Sequence, residues 1–244
     1  MSGEQASFQR ILVPVDLSEA SLRSLRYALA LGSLFGSVVD ALHVWRTSTQ
    51  TAVTAARDGA KQALRQFVAS LELGPGAELR RMTDYGDPYL TILRIAGLSS
   101  YNLIVSFPPE PGRAAPENVA LSLMHGSRVP VLMVPRNWAA GVAVFDLEQQ
   151  LTRILLPAAF ADRSRLARSS AARLEQACGA VVETLQEEPG QVETALLARA
   201  AKADYDLFVL CVQRARLGET ERDHSAERLL LAQQCPTLCV HADE

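Results

Sequence analysis

Four groups of side chains in this 244-residue chain have the types and spacing to do chemistry. Asp16 and Ser18 close an apolar run, Ile11-Leu-Val-Pro14-Val15, and offer oxygens that can cap the start of a helix. Asp84 and Asp87 form a carboxylate pair, the arrangement that acid–base work uses. His224 stands near Asp223 and Glu227, a second set of acid–base types. Cys211, Cys239 and His241 are of types that hold metals or exchange electrons. Each has a plainer structural reading: Asp84 and Asp87 at a turn, Asp223 and Glu227 at a helix start, and buried inert thiols. Cys235 and Cys239 lie four positions apart on a strand-like segment, about 13 Å, too far for one disulfide or one metal. Cys211 ends another expected strand and could lie beside Cys239. Of the histidines, His43 falls on a buried strand and reads as a satisfied core residue. His125 ends a helix, where a cation suits the dipole. No G-x-S-x-G elbow, H-E-x-x-H pair or G-x-x-x-x-G-K-[ST] loop occurs.

The elements that must position these groups alternate. Residues 10–15 form a continuous apolar run, as for a strand buried on both faces. Leu22, Leu25, Ala28 and Leu29 follow at helical spacing over 18–35, and Gly36 stops the helix. The pattern continues with a strand over 38–45, a helix over 51–71 broken by Gly74-Pro-Gly76, and a strand over 78–83. Gly86-Asp-Pro88 opens a further helix. A strand over 102–107, a helix over 116–126 and a strand over 130–134 complete this half. Residues 137–151 break the rhythm and read as a connection. The rest runs strand 153–157, helix 162–177, strand 180–186, helix 191–202, strand 206–211, helix 222–233 and strand 237–241. Strands alternating with helices imply parallel pairing, with ligands at the strands' carboxyl ends where strand order reverses.

The chain also repeats itself. Ile11-Leu-Val-Pro-Val-Asp-Leu-Ser-Glu-Ala-Ser21 returns, altered, as Ile154-Leu-Leu-Pro-Ala-Ala-Phe-Ala-Asp-Arg-Ser164, and Pro130-Val-Leu-Met-Val134 as Pro236-Thr-Leu-Cys-Val240. From Arg10 to Arg136 is 127 residues; from Arg153 to His241 is 89. The second copy is therefore short by about one helix and one strand, a four-stranded remnant.

Bulk properties narrow the classes. Net charge is −3, with Lys and Arg spread along the chain, which argues against nucleic acid. No apolar run approaches the roughly 20 residues of a membrane span, and the polar start lacks a signal peptide's apolar core. The four cysteines form no secreted disulfide framework, so a cytoplasmic location is expected.

These marks together resemble the universal stress protein family in its tandem two-domain form. The resemblance lies in Ile11-Leu-Val-Pro-Val-Asp16 with Ser18, Ala41-Leu-His-Val44, Gly86-Asp-Pro88, Asn102-Leu-Ile-Val105 and Val129-Pro-Val-Leu-Met-Val134. In the second half it lies in Ile154-Leu-Leu-Pro157, Asp206-Leu-Phe-Val209 and Cys235-Pro-Thr-Leu-Cys-Val240. It implies an α/β fold: two tandem doubly wound parallel-sheet modules of the adenine nucleotide alpha hydrolase-like type, the second truncated. Residues 1–136 would be a complete domain, 137–151 a linker and 152–244 the truncated domain. The family's domains pair through their last strands, so 130–134 and 237–241 should meet antiparallel.

In nucleotide-binding members, the positions of Asp16 and Val44 hold base and ribose, and G-x-x-G-x9-G-[ST] holds the phosphates. Here Ser106-Phe-Pro-Pro-Glu-Pro-Gly112 puts prolines and a Glu where that motif has glycines. Glu117 and Asn118 take the Gly-Ser positions, and Gly126-Ser127 lies too near the fifth strand to serve. In the second half Ala159 replaces the Asp, while Asp223 and His224 replace the Gly-Ser pair; Arg214 and Arg216 are the anion-attracting types left in that loop. The expectation is a non-enzymatic stress-response protein, a binding or scaffolding module without catalytic residues, metal or cofactor. The alternative is a nucleoside, AMP or ATP site in the first domain only. The residual site comprises Pro14, Val15, Asp16, Ser18, Val44 and Asn118. Expected partners are a second copy, as a homodimer, or another stress-response protein, and neither nucleic acid nor membrane.

Overall fold

The computed structural model describes residues 8–46, 53–71, 73–108, 118–136, 138, 146–186, 192–200, 204–212, 228, 230 and 235–243. The chain begins β1 (Arg10–Pro14), α1 (Glu19–Phe35), β2 (Val38–Trp45), α2 (Val53–Phe67), β3 (Glu78–Tyr85) and α3 (Pro88–Leu98). There follow β4 (Leu103–Ser106), α4 (Val119–Gly126), β5 (Val131–Met133), α5 (Leu147–Gln150) and β6 (Arg153–Leu155). It closes with α6 (Ala158–Arg163), α7 (Arg165–Cys178), β7 (Val181–Glu183), α8 (Val192–Ala200), β8 (Leu207–Val212) and β9 (Thr237–His241).

Local chemistry sets the helix ends. Ser18 caps α1 through Ser21 N, and Asp87 caps α3 through Leu90 N with Pro88 in its first turn. Gly36 and Gly179 end α1 and α7 at φ of 64° and 68°, a conformation that glycine adopts without penalty.

The strands form one sheet in the order β3-β2-β1-β4-β5-β9-β8-β6-β7. Every pairing is parallel except β5 with β9, which meet antiparallel through Val131↔Cys239, Leu132↔Leu238 and Met133↔Thr237. The expected antiparallel contact between the two closing strands is therefore present. Outward from this seam the order runs β5-β4-β1-β2-β3 one way and β9-β8-β6-β7 the other. β3 has no counterpart on the far side among the described strands.

Helices cover both faces. Ile11, Val13, Val39, Leu103, Leu132, Ile154, Val209 and Leu238 join residues of α1, α2 and α7 in one apolar cluster that crosses the seam. Leu12, Leu42, Ile104 and Val131 face α3 and α4 on the other side, and Leu155, Phe208 and Leu210 face Leu196 of α8. Alternate residues of each strand thus serve opposite layers, although both are buried.

Several sequence expectations need correction. The single helix expected over 162–177 is two, because Ser164 is extended and caps α7 through Ala167 N. Residues 158–161, which fall between the expected strand 153–157 and helix 162–177, are helical: Phe160 packs on the core from α6. The connection 137–151 contains α5, and Leu147 and Leu151 are buried with α1 and α7 rather than strung between bodies. β3 runs two residues longer than expected, and β7 is shorter. Register also separates two cysteines expected side by side. Leu210 faces Cys239 and Cys211 faces Val240, so alternation puts Cys211 and Cys239 on opposite faces. The helix expected over 222–233 lies largely outside the described residues, as do Arg214, Arg216, Asp223, His224 and Glu227.

Candidate functional site

The chain leaves β1 for β2 on one side and returns through β4 on the other, so strand order reverses between β1 and β4. In an open parallel sheet that reversal splays the connecting loops and leaves a crevice at the carboxyl ends. A cleft of about 290 Å³ occupies this place. Pro14, Val15, Leu42 and Val44 supply its strand wall, and Pro88 and Ile92 of α3 the opposite one. Ser106, Phe107 and Pro108 follow from β4, Val119 and Ala120 from α4, and Arg136 from beyond β5. The volume lies near the lower end of small-molecule sites, roughly 300–1,000 Å³.

Its polar groups are few and mostly engaged. Asp16 Oδ1 accepts from Ser18 N at 3.0 Å and from Ser18 Oγ at 2.5 Å, across Leu17 at φ 66°. A leucine in that region is uncommon and costs about 1 kcal/mol, so the Asp16–Ser18 turn is held by its bonds. His43 Nδ1 lies 3.0 Å from Val15 O. A carbonyl only accepts, so Nδ1 carries the proton. Asn118 Oδ1 accepts from Ala120 N at 3.1 Å and Leu121 N at 3.4 Å. Arg136 donates through Nε to Pro108 O at 3.2 Å and lies 4.9 Å from the Phe107 ring centre.

Of the residues the sequence singled out, Pro14, Val15, Asp16, Val44 and Asn118 line this cleft together. Ser18 does not; it caps α1 and fixes Asp16. His43, expected as a satisfied core residue, is half-buried and reaches the cleft. Ser106, Phe107 and Pro108, read from the sequence only as an altered phosphate loop, line the cleft too, as does Arg136, which sequence reasoning missed. Their signal was position alone, at the ends of β4 and β5. Asp84 and Asp87 do not act as a pair: Asp84 meets Arg94 at 2.5 Å, whereas Asp87 caps α3 and pairs with Arg46. Gly126 and Ser127 lie at the carboxyl end of α4, away from the cleft side. Burial pushes the Cys239 thiol up to about 12 and, countered in part by Arg163, the Cys211 thiol up to about 11. Among the described residues no group of three or more His, Cys, Asp or Glu converges as a metal site would need. Among them also, no helix is long and apolar enough to cross a membrane.

Comparison with known proteins places this geometry. The solved structure of a universal stress protein from Archaeoglobus fulgidus DSM 4304 is 15% identical, with a TM-score of 0.67 over 95% of this chain and 98% of that one. A protein of unknown function from Pseudomonas aeruginosa PAO1 is 16% identical, with a TM-score of 0.64 over 96% of this chain and 93% of that one. Both likenesses concern the fold. No curated protein matches the chain. The model of the universal stress protein family matches residues 7–135, the half that carries the cleft, and the chain belongs to that family.

Proposed function

We propose that this chain is a non-enzymatic stress-response protein, a binding and scaffolding module that has lost the means to hold a nucleotide's phosphates. Family membership supports the stress-response role. The observation that carries the rest is Asn118. An anion at a helix start bonds the exposed backbone N–H groups of the first turn. At α4 the Asn118 side chain takes those of Ala120 and Leu121 for itself. The prolines of Ser106-Phe-Pro-Pro-Glu-Pro-Gly112 remove further donors from the loop that precedes it. The non-enzymatic reading is supported by the sequence, which carries no G-x-S-x-G elbow, H-E-x-x-H pair or G-x-x-x-x-G-K-[ST] loop.

The matched strand order on the two sides of the seam supports two tandem domains, 1–136 and 152–244, the second reduced by a strand and a helix. The second copy of the chain that we propose as partner would dock elsewhere than at β5, because β9 already occupies that edge. Among the described strands β7, with exposed Val181, is the outermost on the reduced side and the edge we propose for this contact. Sedimentation velocity across a hundredfold concentration range tests this, since a mass that stays at one chain removes the homodimer. A cytoplasmic location is part of the same proposal.

A second reading is favoured by the cleft itself. Asp16 and Val44 still line one space with Pro14 and Val15, so a nucleoside or AMP can be held without a triphosphate cradle. Thermal shift separates the two readings. If adenosine raises the melting temperature through mass action and Asp16→Ala abolishes the rise, the nucleoside site is supported. No rise with adenosine, AMP or ATP at millimolar concentration leaves scaffolding. A rise larger with ATP than with adenosine overturns the lost cradle.

A further inference from the structure

Ser106 ends β4 and lines the cleft, and the residue is only 5% exposed. Strand alternation turns its side chain to the same face as Ile104, toward α3 and α4. Its backbone carbonyl accepts from Val134 N at 2.8 Å. Among the described residues its hydroxyl has no hydrogen-bond partner. A hydroxyl can donate once and accept twice, and this one opens to the cleft, where a ligand group can meet it in place of water.

The surroundings define what that something is. Leu42, Ile92 and Ala120, all buried, and Pro14 present carbon to the cleft. The charged groups of the lining are engaged, Asp16 by Ser18 and Arg136 by Pro108 O and the Phe107 ring. The α4 N–H groups that would receive an anion are engaged by Asn118. A charge brought into the cleft would lose its water and find these groups already taken.

We infer that the cleft takes an uncharged, mainly apolar ligand whose one hydrogen-bonding group, a carbonyl or hydroxyl, meets the Ser106 hydroxyl. This inference rests on the reading of the cleft as a ligand site. A volume of about 290 Å³ admits a single-ring molecule.

The test uses the full chain, labelled for amide NMR, and two probes of one shape: benzamide, which is neutral, and benzoate, which is charged. Benzamide is expected to shift the amides of Val44, Ser106, Phe107 and Val119. Ser106→Ala is expected to weaken it roughly fivefold, the loss of one hydrogen bond. Ser106→Thr, which keeps the hydroxyl, should bind within about twofold of wild type. Benzoate should bind roughly tenfold more weakly than benzamide, or not at all. Benzamide binding that Ser106→Ala leaves unchanged overturns the role of Ser106 while leaving the cleft as a ligand site. Benzoate binding as tightly as benzamide overturns the neutral class. If neither probe moves any cleft amide at millimolar concentration, the reading of the cleft as a ligand site fails, and this inference with it.

Discussion

The guanidinium of Arg153 lies 4.8 Å from the ring centre of Tyr205, and this stacking repeats, across the sheet, that of Arg10 on Tyr101 at 4.6 Å. Each arginine opens its strand and reaches an acid two residues along the neighbouring strand: Arg10 to Asp40 at 3.2 Å, and Arg153 to Glu183 at 3.1 Å. Asn102 Oδ1 and Asp206 Oδ2 accept the respective arginine's backbone N–H, at 3.1 and 2.9 Å. The acids differ in burial, since the Asp40 side chain is 1% exposed and that of Glu183 is 36%. Tyr101 donates to Asp40 at 2.6 Å. Removing that donor leaves a buried carboxylate short of a partner, so Tyr101→Phe should cost about 2 kcal/mol. Tyr205→Phe, which weakens a solvated cluster, should cost under about 1 kcal/mol. Urea denaturation of the two variants checks the order, and equal losses would refute it.

Asn118→Ala should destabilise the chain by about 1 kcal/mol, the usual loss of a capping side chain. It returns two N–H groups to the α4 terminus, yet the prolines before it stay. ATP should still give no thermal shift with this variant; a shift would mean that Asn118 alone blocks the phosphates.

Stability should fall in alkali. Burial raises the folded-state pKa of the Cys239 thiol to about 12, against about 8.5 for an unfolded thiol. A raised folded pKa means that the full contribution is present below about pH 8.5 and is lost as pH climbs toward the folded value. Between pH 8.5 and 10 this one thiol accounts for about 2 kcal/mol. The urea midpoint measured at both pH values should drop less in Cys239→Ala than in wild type. Identical drops would assign the alkaline loss to other groups.

The seam offers a coupling test. Leu132 and Leu238 face one another across the antiparallel pair, 3% and 2% exposed. Each truncation to alanine should cost about 3 kcal/mol. Because they touch one another's space, the double variant should depart from the sum by at least about 0.5 kcal/mol. Strict additivity in equilibrium unfolding would mean that the seam relaxes around each change independently.

Much of this fold was legible because strand and helix patterns alternate and punctuation is local. Gly36, Gly179, Asp87-Pro88 and Asn118 act where they stand in the chain. What was not legible depends on neighbours far along the chain. α6 forms because Ala158 N reaches Leu185 O, as Val15 N reaches Leu42 O, after which Phe160 finds core to cover. Cys211 and Cys239 were separated by a one-residue register that no spacing reveals. Within the cleft, Asp16 and Val44 came from an ordered set of motifs. Ser106 and Arg136 became site residues only when β4 and β5 were laid beside β1. The Arg153–Tyr205 stack repeats side chains separated by 52 positions, a relationship invisible to any short window.

The β5–β9 seam has an evolutionary consequence. When two identical subunits join edge to edge, every substitution at the edge appears twice, and each residue must suit its own reflection. Here Val131 answers to Cys239 and Met133 to Thr237. Dilution cannot part the two sides, and a change on one need not be tolerated by a twin on the other. On the tandem reading proposed above, such an arrangement lets the β5 side keep its crevice while the β9 side goes without a counterpart of β3 among the described strands.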